Sequence, residues 1–218
     1  MSNQIISNRD ETVPLFANPW LDRLTHVHPI TPLVLYLPVV GYFSYRGLET
    51  LPWYVFVGCF LGGMLLWTFA EYWIHRAIFH YEPKSAWGQR LHFLVHGIHH
   101  AYPRDSTRLV MPPVVSIPLA VFFYWFFQWL FGVYQPAIFA GFVLGYVIYD
   151  SIHYATHHLP MRGRIGRFLK AHHMRHHYVD EDRSFGISTP LWDLVFGTYQ
   201  PQTTLARHQV AKSRVAQE

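Results

Sequence analysis

The segment from residue 172 to residue 177, HHMRHH, places four imidazoles in six residues, and no other part of the chain is as rich in groups that can do chemistry. His173, His176 and His177 are spaced i, i+3, i+4, so on a helix they share one face and their ring nitrogens are predicted to converge on a single point. Packed imidazoles repel one another when protonated, and each needs a partner when neutral. A metal ion removes both problems by taking the neutral nitrogen lone pair, so the pattern predicts a metal site.

Three more histidine clusters precede this one: HRAIFH at 75–80, HGIHH at 96–100 and HYATHH at 153–158. Two histidines five residues apart, as in the first cluster, lie about 140° apart on an α-helix, so the backbone is predicted to bend where that helix ends. Ten nitrogens are too many for one ion and suit two ions with four or five each. The ten histidines in these patterns are His75, His80, His96, His99, His100, His153, His157, His173, His176 and His177.

Six of the 16 histidines fall outside the patterns: His26, His28, His92, His158, His172 and His208. We interpret them as interfacial or supporting residues, although His92 and His158 adjoin patterned histidines and could exchange with them. Cys59 is the only cysteine. The chain therefore cannot form an internal disulfide, a cysteine-ligated zinc site or an iron–sulfur cluster.

Composition places the chain in a membrane. Of its 218 residues, 51% are hydrophobic, 18% are aromatic and 14% are charged, whereas about 25% of residues are charged in typical soluble proteins. Uncharged runs long enough to cross a bilayer predict four transmembrane helices. The predicted spans are 24–45, 51–70, and a hairpin of 114–131 and 136–149 with a break at 132–136. The polar first 14 residues, with charges of both signs, predict no cleavable signal peptide.

The basic residues predict the orientation. Of 17 Lys and Arg, only Arg46 lies between the first two spans, and the others lie in the N-terminal segment, the 76–108 loop and the C-terminal region. These three regions should face the cytoplasm, in a bacterial inner membrane or the endoplasmic reticulum. The predicted fold is therefore all-α and multi-pass, with a cytosolic helical cap carrying a histidine-rich dimetal site. We expect one domain over 1–218, with an N-terminal segment at 1–23, a flexible tail at 202–218 and no nucleic-acid partner.

Longer motifs carry a resemblance to a known family: HGIHHAYPRDSTRLVMPP at 96–113, YDSIHYATHH at 149–158, and HHMRHHY followed by FGISTPLWDLVFGTY between 172 and 199. The chain resembles the fatty acid hydroxylase/sterol desaturase superfamily of membrane di-iron oxygenases, and within it the fatty acid 2-hydroxylases. The resemblance implies that the ten patterned histidines hold two iron ions, with zinc expected in purified protein because zinc stands above iron in affinity. It also implies O2-dependent hydroxylation at C2 of a long acyl chain, free or in a sphingolipid.

Family members from eukaryotes often carry an N-terminal haem domain that donates electrons. This chain has no room for one, so a separate electron-donor protein is expected. Asp150, three residues before His153, is predicted to accept a ring N–H from a metal ligand; the alternative is a charge at a helix end near the membrane surface. Trp192, Asp193 and Gly197 lie in a stretch predicted to cover the metal site, and a folded lid without chemistry is an equally compatible interpretation.

Two other functions remain open on sequence grounds. A sterol or carotenoid hydroxylase or desaturase of the same superfamily would share the histidine clusters, although the RLVMPP segment at 108–113 argues against it. A membrane zinc transporter or metal store would also need histidines. Transporters place their ligands near the middle of the bilayer between broken helices, whereas here every cluster adjoins the same side of a predicted span.

Overall fold

A computed structural model describes residues 5–201. Within that range the chain is helical and contains no strand. The helices are α1 (Pro19–Arg23), α2 (Thr31–Thr50), α3 (Trp53–Ile74), α4 (Ala86–His92), α5 (Ile98–Ala101), α6 (Pro113–Phe131), α7 (Gln135–His158), α8 (Arg164–Tyr178) and α9 (Leu191–Val195). Two π-helical turns, His75–Phe79 and Phe93–Gly97, follow α3 and α4, and a short 3-10 turn, Gly132–Tyr134, separates α6 from α7.

Helix α7 lies at the centre of the molecule, and α2 packs along it in the opposite direction. The ring of Tyr36 meets that of Tyr146 at 5.2 Å, and further along α2 the ring of Phe43 meets that of Phe139 at 5.0 Å. Most of α7 is buried, including its small residues. A helix that is apolar on every side is expected where neighbours surround it.

Helices α3 and α7 run side by side in the same direction and approach closely. A Cβ added to Gly63 would lie 2.1 Å from the carbonyl oxygen of Ile138, and one added to Gly141 would lie 1.9 Å from that of Phe60. Small residues allow such backbone contact, which is typical of membrane helices because the hydrophobic effect does not drive their association. Because the two helices are parallel, both carry their C-terminal histidines to the same end of the molecule.

Two helical stretches, Trp53–Phe79 and Pro113–His158, are long and apolar enough to cross a membrane. The second is a hairpin, because Gly132 adopts a φ of 53° and α6 folds back so that Phe127 packs on Phe142 at 5.0 Å. The predicted hairpin and its break are thus confirmed. Its outer face is apolar and open, with Trp129 79% exposed.

The predicted helix over 24–45 is misplaced. The structure begins α2 at Thr31 and continues it to Thr50. Pro32 occupies its first turn, where proline is well tolerated because the missing N–H has no helical partner there. The residues before it are held elsewhere: the amide of Val27 donates to the carbonyl of Thr107 at 2.7 Å.

Residues 5–27 lie against the loop that follows α5, and Arg108 joins the two. This buried guanidinium donates to the Val13 carbonyl at 2.7 Å and to the Thr25 hydroxyl at 3.0 Å, and it pairs with Asp22 at 3.3 Å. Leu15, Leu21 and Leu24 of the same segment line a cavity described below. Arg108 therefore fixes the N-terminal segment beside that cavity.

Candidate metal centre

All ten patterned histidines lie together in two groups of five. Within each group, one nitrogen from every ring lies within 4.8 Å of the others, and the described residues contain these two groups as candidate metal sites. The first histidine group is His75, His80, His96, His100 and His176. The second histidine group is His99, His153, His157, His173 and His177. Nine of the ten are buried and His80 is partly so.

The i, i+3, i+4 pattern does not converge on one point, as the sequence had suggested. On α8, His173 and His177 enter the second group while His176 enters the first. The same split occurs after α4, where His96 and His100 join the first group and His99 joins the second. Helix geometry explains it, because residue i+4 lies about 40° to one side of residue i and residue i+3 lies about 60° to the other. Each of these two clusters therefore contributes a pair of rings to one group and a single ring to the other.

The π-helical turn at His75–Phe79 brings the five-apart histidines together. The amide of His80 donates to the carbonyl of His75 at 3.2 Å, the i to i+5 bond of a π-turn. This wider turn reduces the angle between the two side chains, so His75 and His80 point into the same group. The expected bend at a helix end is instead a widened turn that continues α3. Such turns are frequent at functional sites.

The Nε2 atoms face one another too closely and in too large a number for ordinary hydrogen bonding. His96 Nε2 lies 3.2, 3.2 and 3.0 Å from the Nε2 atoms of His75, His80 and His100. In the second group, His173 Nε2 lies 2.8 Å from that of His157 and 3.1 Å from that of His177. One ring hydrogen cannot satisfy three nitrogens. Two metal–nitrogen bonds of about 2.1 Å at right angles place their nitrogens about 3.0 Å apart, so the residues fit a bound metal ion.

The protonation state of the rings agrees with metal binding. Burial and the neighbouring imidazoles hold the pKa values of His96, His99, His173, His176 and His177 well below the usual range. For His100, burial first and then neighbouring imidazoles lower the pKa to about 3. These rings are therefore neutral at pH 7, which is the form that coordinates a metal.

Asp150 is buried one turn before His153 on α7. Its carboxylate accepts the backbone amide of Met111 at 3.4 Å. Asp150 thus ties α7 to the RLVMPP segment, and its role as an acceptor for a ligand ring N–H stays a prediction.

The acceptors that the structure does show for ligand rings are backbone carbonyls. His75 Nδ1 donates to the carbonyl of Phe185 at 2.6 Å, and His176 Nδ1 donates to that of Arg183 at 2.8 Å. Two carboxylates support this part of the chain, Glu71 and Asp193, both buried. Sequence reasoning placed Asp193 only in a covering stretch and missed the carbonyls, because a backbone acceptor leaves no signature in residue type.

The other described histidines lie outside both groups. His26 contacts the Thr107 hydroxyl at 2.9 Å and Asp22 at 3.2 Å, and His172 Nε2 contacts the Asp193 carboxylate at 3.1 Å. The groups include neither His92 nor His158. His208 and the predicted tail at 202–218 lie outside the described residues.

A cavity of about 610 Å³ adjoins both histidine groups. His96 of the first group and His99 and His153 of the second line it, and the rest of its wall is mainly aliphatic and aromatic. Along α7 the lining extends from His153 to Phe139, fourteen residues or about 21 Å of helix. The cavity suits a long apolar chain with one portion beside the histidines.

Fold and site together define a class: a helical, membrane-type protein whose buried imidazoles can hold metal ions next to a cavity for an apolar chain. The comparisons make this specific. The model of the family described as "Fatty acid hydroxylase" matches residues 60–198. The chain belongs to the fatty acid hydroxylase family and is an oxidoreductase of that family.

Named relatives agree with this membership. The chain is 40% identical over 186 residues to the dihydroceramide fatty acyl 2-hydroxylase FAH1 of Arabidopsis thaliana, covering 81% of this chain and 75% of the relative. It is 40% identical to the fatty acid 2-hydroxylase of Mus musculus, covering 78% of this chain but only 52% of the mouse protein. A solved structure of full-length scs7p, in which only the hydroxylase domain is visible, superposes with a TM-score of 0.81 at 38% identity, covering 86% of this chain and 72% of that one.

Proposed function

We propose that this protein hydroxylates C2 of long-chain fatty acyl groups, free or amide-linked in a sphingolipid, using O2. The observation that carries the proposal is the convergence of two five-imidazole groups on one wall of an apolar cavity. Relatives bearing the names of fatty acyl 2-hydroxylases support the choice of substrate and position.

Each histidine group holds one iron ion in this proposal, so the ten patterned histidines are the ligands. Bound iron supplies the activation of O2 that no side chain can provide. Zinc is expected in purified material, because imidazole does not discriminate strongly and zinc lies above iron in the affinity order.

The chain's own residues bind the substrate and exclude water. Phe142, Val143 and Phe139 line the deep part of the cavity and hold methylene groups, while His153 and His99 stand at its other end. A lipid whose tail fills the deep part therefore presents the carbons next to its polar group to the histidines. Asp150, at the same end, is retained as a proposed acceptor for a ligand ring N–H.

Hydroxylation of a C–H bond places one oxygen atom of O2 in the product and releases the other as water, which consumes two electrons and two protons. We propose that the electrons come from a separate donor protein that meets the enzyme on the side of the histidine groups.

We further propose four membrane spans, α2, α3, α6 and α7, with the histidine groups on the cytoplasmic side and 1–218 acting as one unit. Support comes from the antiparallel packing of α2 and α6 on α7, the open apolar face of α6, and the distribution of the basic residues. The location is a bacterial inner membrane or the endoplasmic reticulum membrane, and lipid substrate reaches the cavity from the bilayer.

No feature of the described residues favours a sterol or carotenoid substrate, or transport of zinc. Both histidine groups lie at the ends of α3 and α7 rather than at their middles, unlike the ligands of a transporter.

The experiment supplies an isotope-labelled acyl lipid, a reductant system and 18O2 to the protein in membranes, followed by mass spectrometry of the products. One labelled oxygen at C2 supports the proposal. A double bond, or a hydroxyl on a sterol or carotenoid ring with none at C2, contradicts it.

A further inference from the structure

The two histidine groups differ in the hydrogen-bond partners of Nδ1, the ring nitrogen that points away from the proposed metal ion. In the first group, His75 Nδ1 and His176 Nδ1 donate to the carbonyls of Phe185 and Arg183 at 2.6 and 2.8 Å. The ring of His100 lies 3.7 Å from the Glu181 carboxylate. Two rings of this group, from helices far apart in sequence, therefore share one supporting stretch of backbone, residues 183–188.

Three rings of the second group lack such support. The Nδ1 atoms of His157, His173 and His177 are buried, and none has a hydrogen-bond partner among residues 5–201. These rings are held in place by packing against one another, with ring centroids of His157 and His173 4.8 Å apart. The four sequence clusters together contribute five rings to each group. The sequence pattern therefore does not show that the two groups differ in their Nδ1 partners.

The 183–188 segment is held from the membrane side by Glu71 of α3. The Glu71 carboxylate accepts the amides of Ile187 at 2.6 Å and Ser188 at 2.8 Å, and it also accepts the Ser188 hydroxyl. Glu71 lies four residues before His75 on the same helix. The helix that supplies a ligand thus also holds the backbone that orients that ligand.

Asp193 of α9 holds the segment from the other side. Its carboxylate accepts the amides of Phe185 at 2.9 Å and Gly186 at 2.8 Å and the Thr198 hydroxyl at 2.7 Å. Gly186 leaves the space for this contact, because an added Cβ would lie 2.1 Å from the carbonyl oxygen of Thr189. Two buried carboxylates therefore fix the backbone that carries the Phe185 and Arg183 carbonyls.

An acceptor for Nδ1–H holds a metal-binding imidazole in the tautomer that presents Nε2, orients the ring and makes Nε2 more basic, and loss of such a partner typically costs about 10–100-fold in metal affinity. We propose that the first histidine group holds its metal ion tightly, through the 183–188 segment, whereas the second group holds a metal ion that exchanges readily. The inference rests on the proposed two-metal function and makes Glu71 and Asp193 positioning residues for one site only.

The test follows metal content, which does not depend on activity. Full-length protein in detergent, loaded to two equivalents of zinc, is mixed with excess chelator, and the zinc that remains is measured over time. We expect two phases of one equivalent each, with rates about 10–100-fold apart. In His75→Ala the slow equivalent should be absent, and in His157→Ala the fast equivalent should be absent.

The supporting carboxylates give the sharper measurement. Asp193→Asn should accelerate the slow phase about 10-fold or more and leave the fast phase unchanged. Ser188→Ala and Thr198→Val, which each remove one hydroxyl donor and keep the carboxylates, should accelerate it less. Asp22→Asn, far from the segment, is the matched control. Thermal unfolding of every variant in the same detergent identifies any that have lost the fold. If Asp193→Asn does not fold, Ser188→Ala and Thr198→Val are compared with the control instead.

Release of both equivalents in one phase overturns the inference, as does loss of the slow phase in His157→Ala or equal acceleration of both phases in a folded Asp193→Asn. Two phases that depend on the assigned ligands support the inference, even if no C2 product forms in the 18O2 experiment. The lack of C2 product would overturn only the proposed reaction.

Discussion

At the scale of the residue, each imidazole has two nitrogens with separate tasks. Nε2 faces the other rings of its group. Nδ1 meets a carbonyl in His75, whereas in His157 it meets no acceptor among residues 5–201. Burial keeps the rings outside the spans neutral, so metal binding requires no proton to be displaced from Nε2 of an imidazolium. The two tasks make single histidine replacements informative about one site at a time.

Replacing His176 or His99 by alanine should remove about one equivalent of metal and abolish the product, because each substitution takes one of five nitrogens from one group. Metal analysis of purified protein and product analysis measure the two effects. His28→Ala is the control, since His28 is exposed and outside both groups. Full metal content in both alanine variants would contradict the assignment of ligands.

At the scale of the element, the π-helical turns determine which way the histidines point. In the turn at His75–Phe79, one extra residue per turn allows His75 and His80 to enter the same group. The second turn, Phe93–Gly97, lies at the start of the HGIHH cluster. The wide turns therefore adjust direction at the points where α3 and α4 reach the site.

Inserting one alanine after Ala77 should place His80 six residues after His75 and rotate its ring out of the first histidine group, because each added residue turns an α-helix by about 100°. We expect loss of about one equivalent of metal, with the second equivalent retained. Ala77 is exposed, so Ala77→Ser keeps the length and serves as the control. Two equivalents in the insertion variant would show that the spacing set by the wide turn is not required.

The contact between α3 and α7 makes a second prediction at this scale. Gly63→Ala should lower stability by about 1–3 kcal/mol, because the added methyl would meet the Ile138 carbonyl and force the helices apart. Gly62→Ala is the matched control, since a Cβ at Gly62 meets nothing within 4 Å. Thermal unfolding in detergent compares the two. An equal effect of both substitutions would contradict the close approach.

At the scale of the whole molecule, parallel α3 and α7 and antiparallel α2 and α6 place every histidine cluster at one end of the bundle. The opposite end carries the short connections at residues 51–52 and 132–134. The cavity runs between the bundle and the segments at the histidine end. In the proposed function, this arrangement lets a lipid remain among apolar side chains while its polar end meets the site.

Membrane topology can be checked by labelling single cysteines after Cys59→Ala. With the protein expressed in the inner membrane of bacterial cells, we expect an impermeant reagent added outside the intact cells to label Val133→Cys and to leave Arg90→Cys and Arg167→Cys unlabelled. All three positions are exposed, so failure to label reports sidedness rather than burial. External labelling at residue 90 or 167 would contradict the proposed orientation.

The sequence by itself predicted the helical class, the α6–α7 hairpin and the ten histidines that come together. Histidine spacing marked the ten rings, and long uncharged runs with a glycine break predicted the α6–α7 hairpin, because both signals are local and repeat along the chain. The start of α2 was wrong because contacts made by residues 24–30 with the distant 102–108 loop override the hydrophobic run. Local spacing also could not show how the rings are shared between the two groups.

Only the tertiary structure decided that division, the partners of the ring nitrogens and the cavity. His75 and Phe185 are 110 residues apart, and the acceptor is a carbonyl group that every residue possesses, so no pattern of residue types predicts the contact. The same holds for the amides bound by Glu71 and Asp193. Backbone groups have no identity in the sequence, and their roles become defined only when the packing of α3, α7 and α8 sets them against particular side chains.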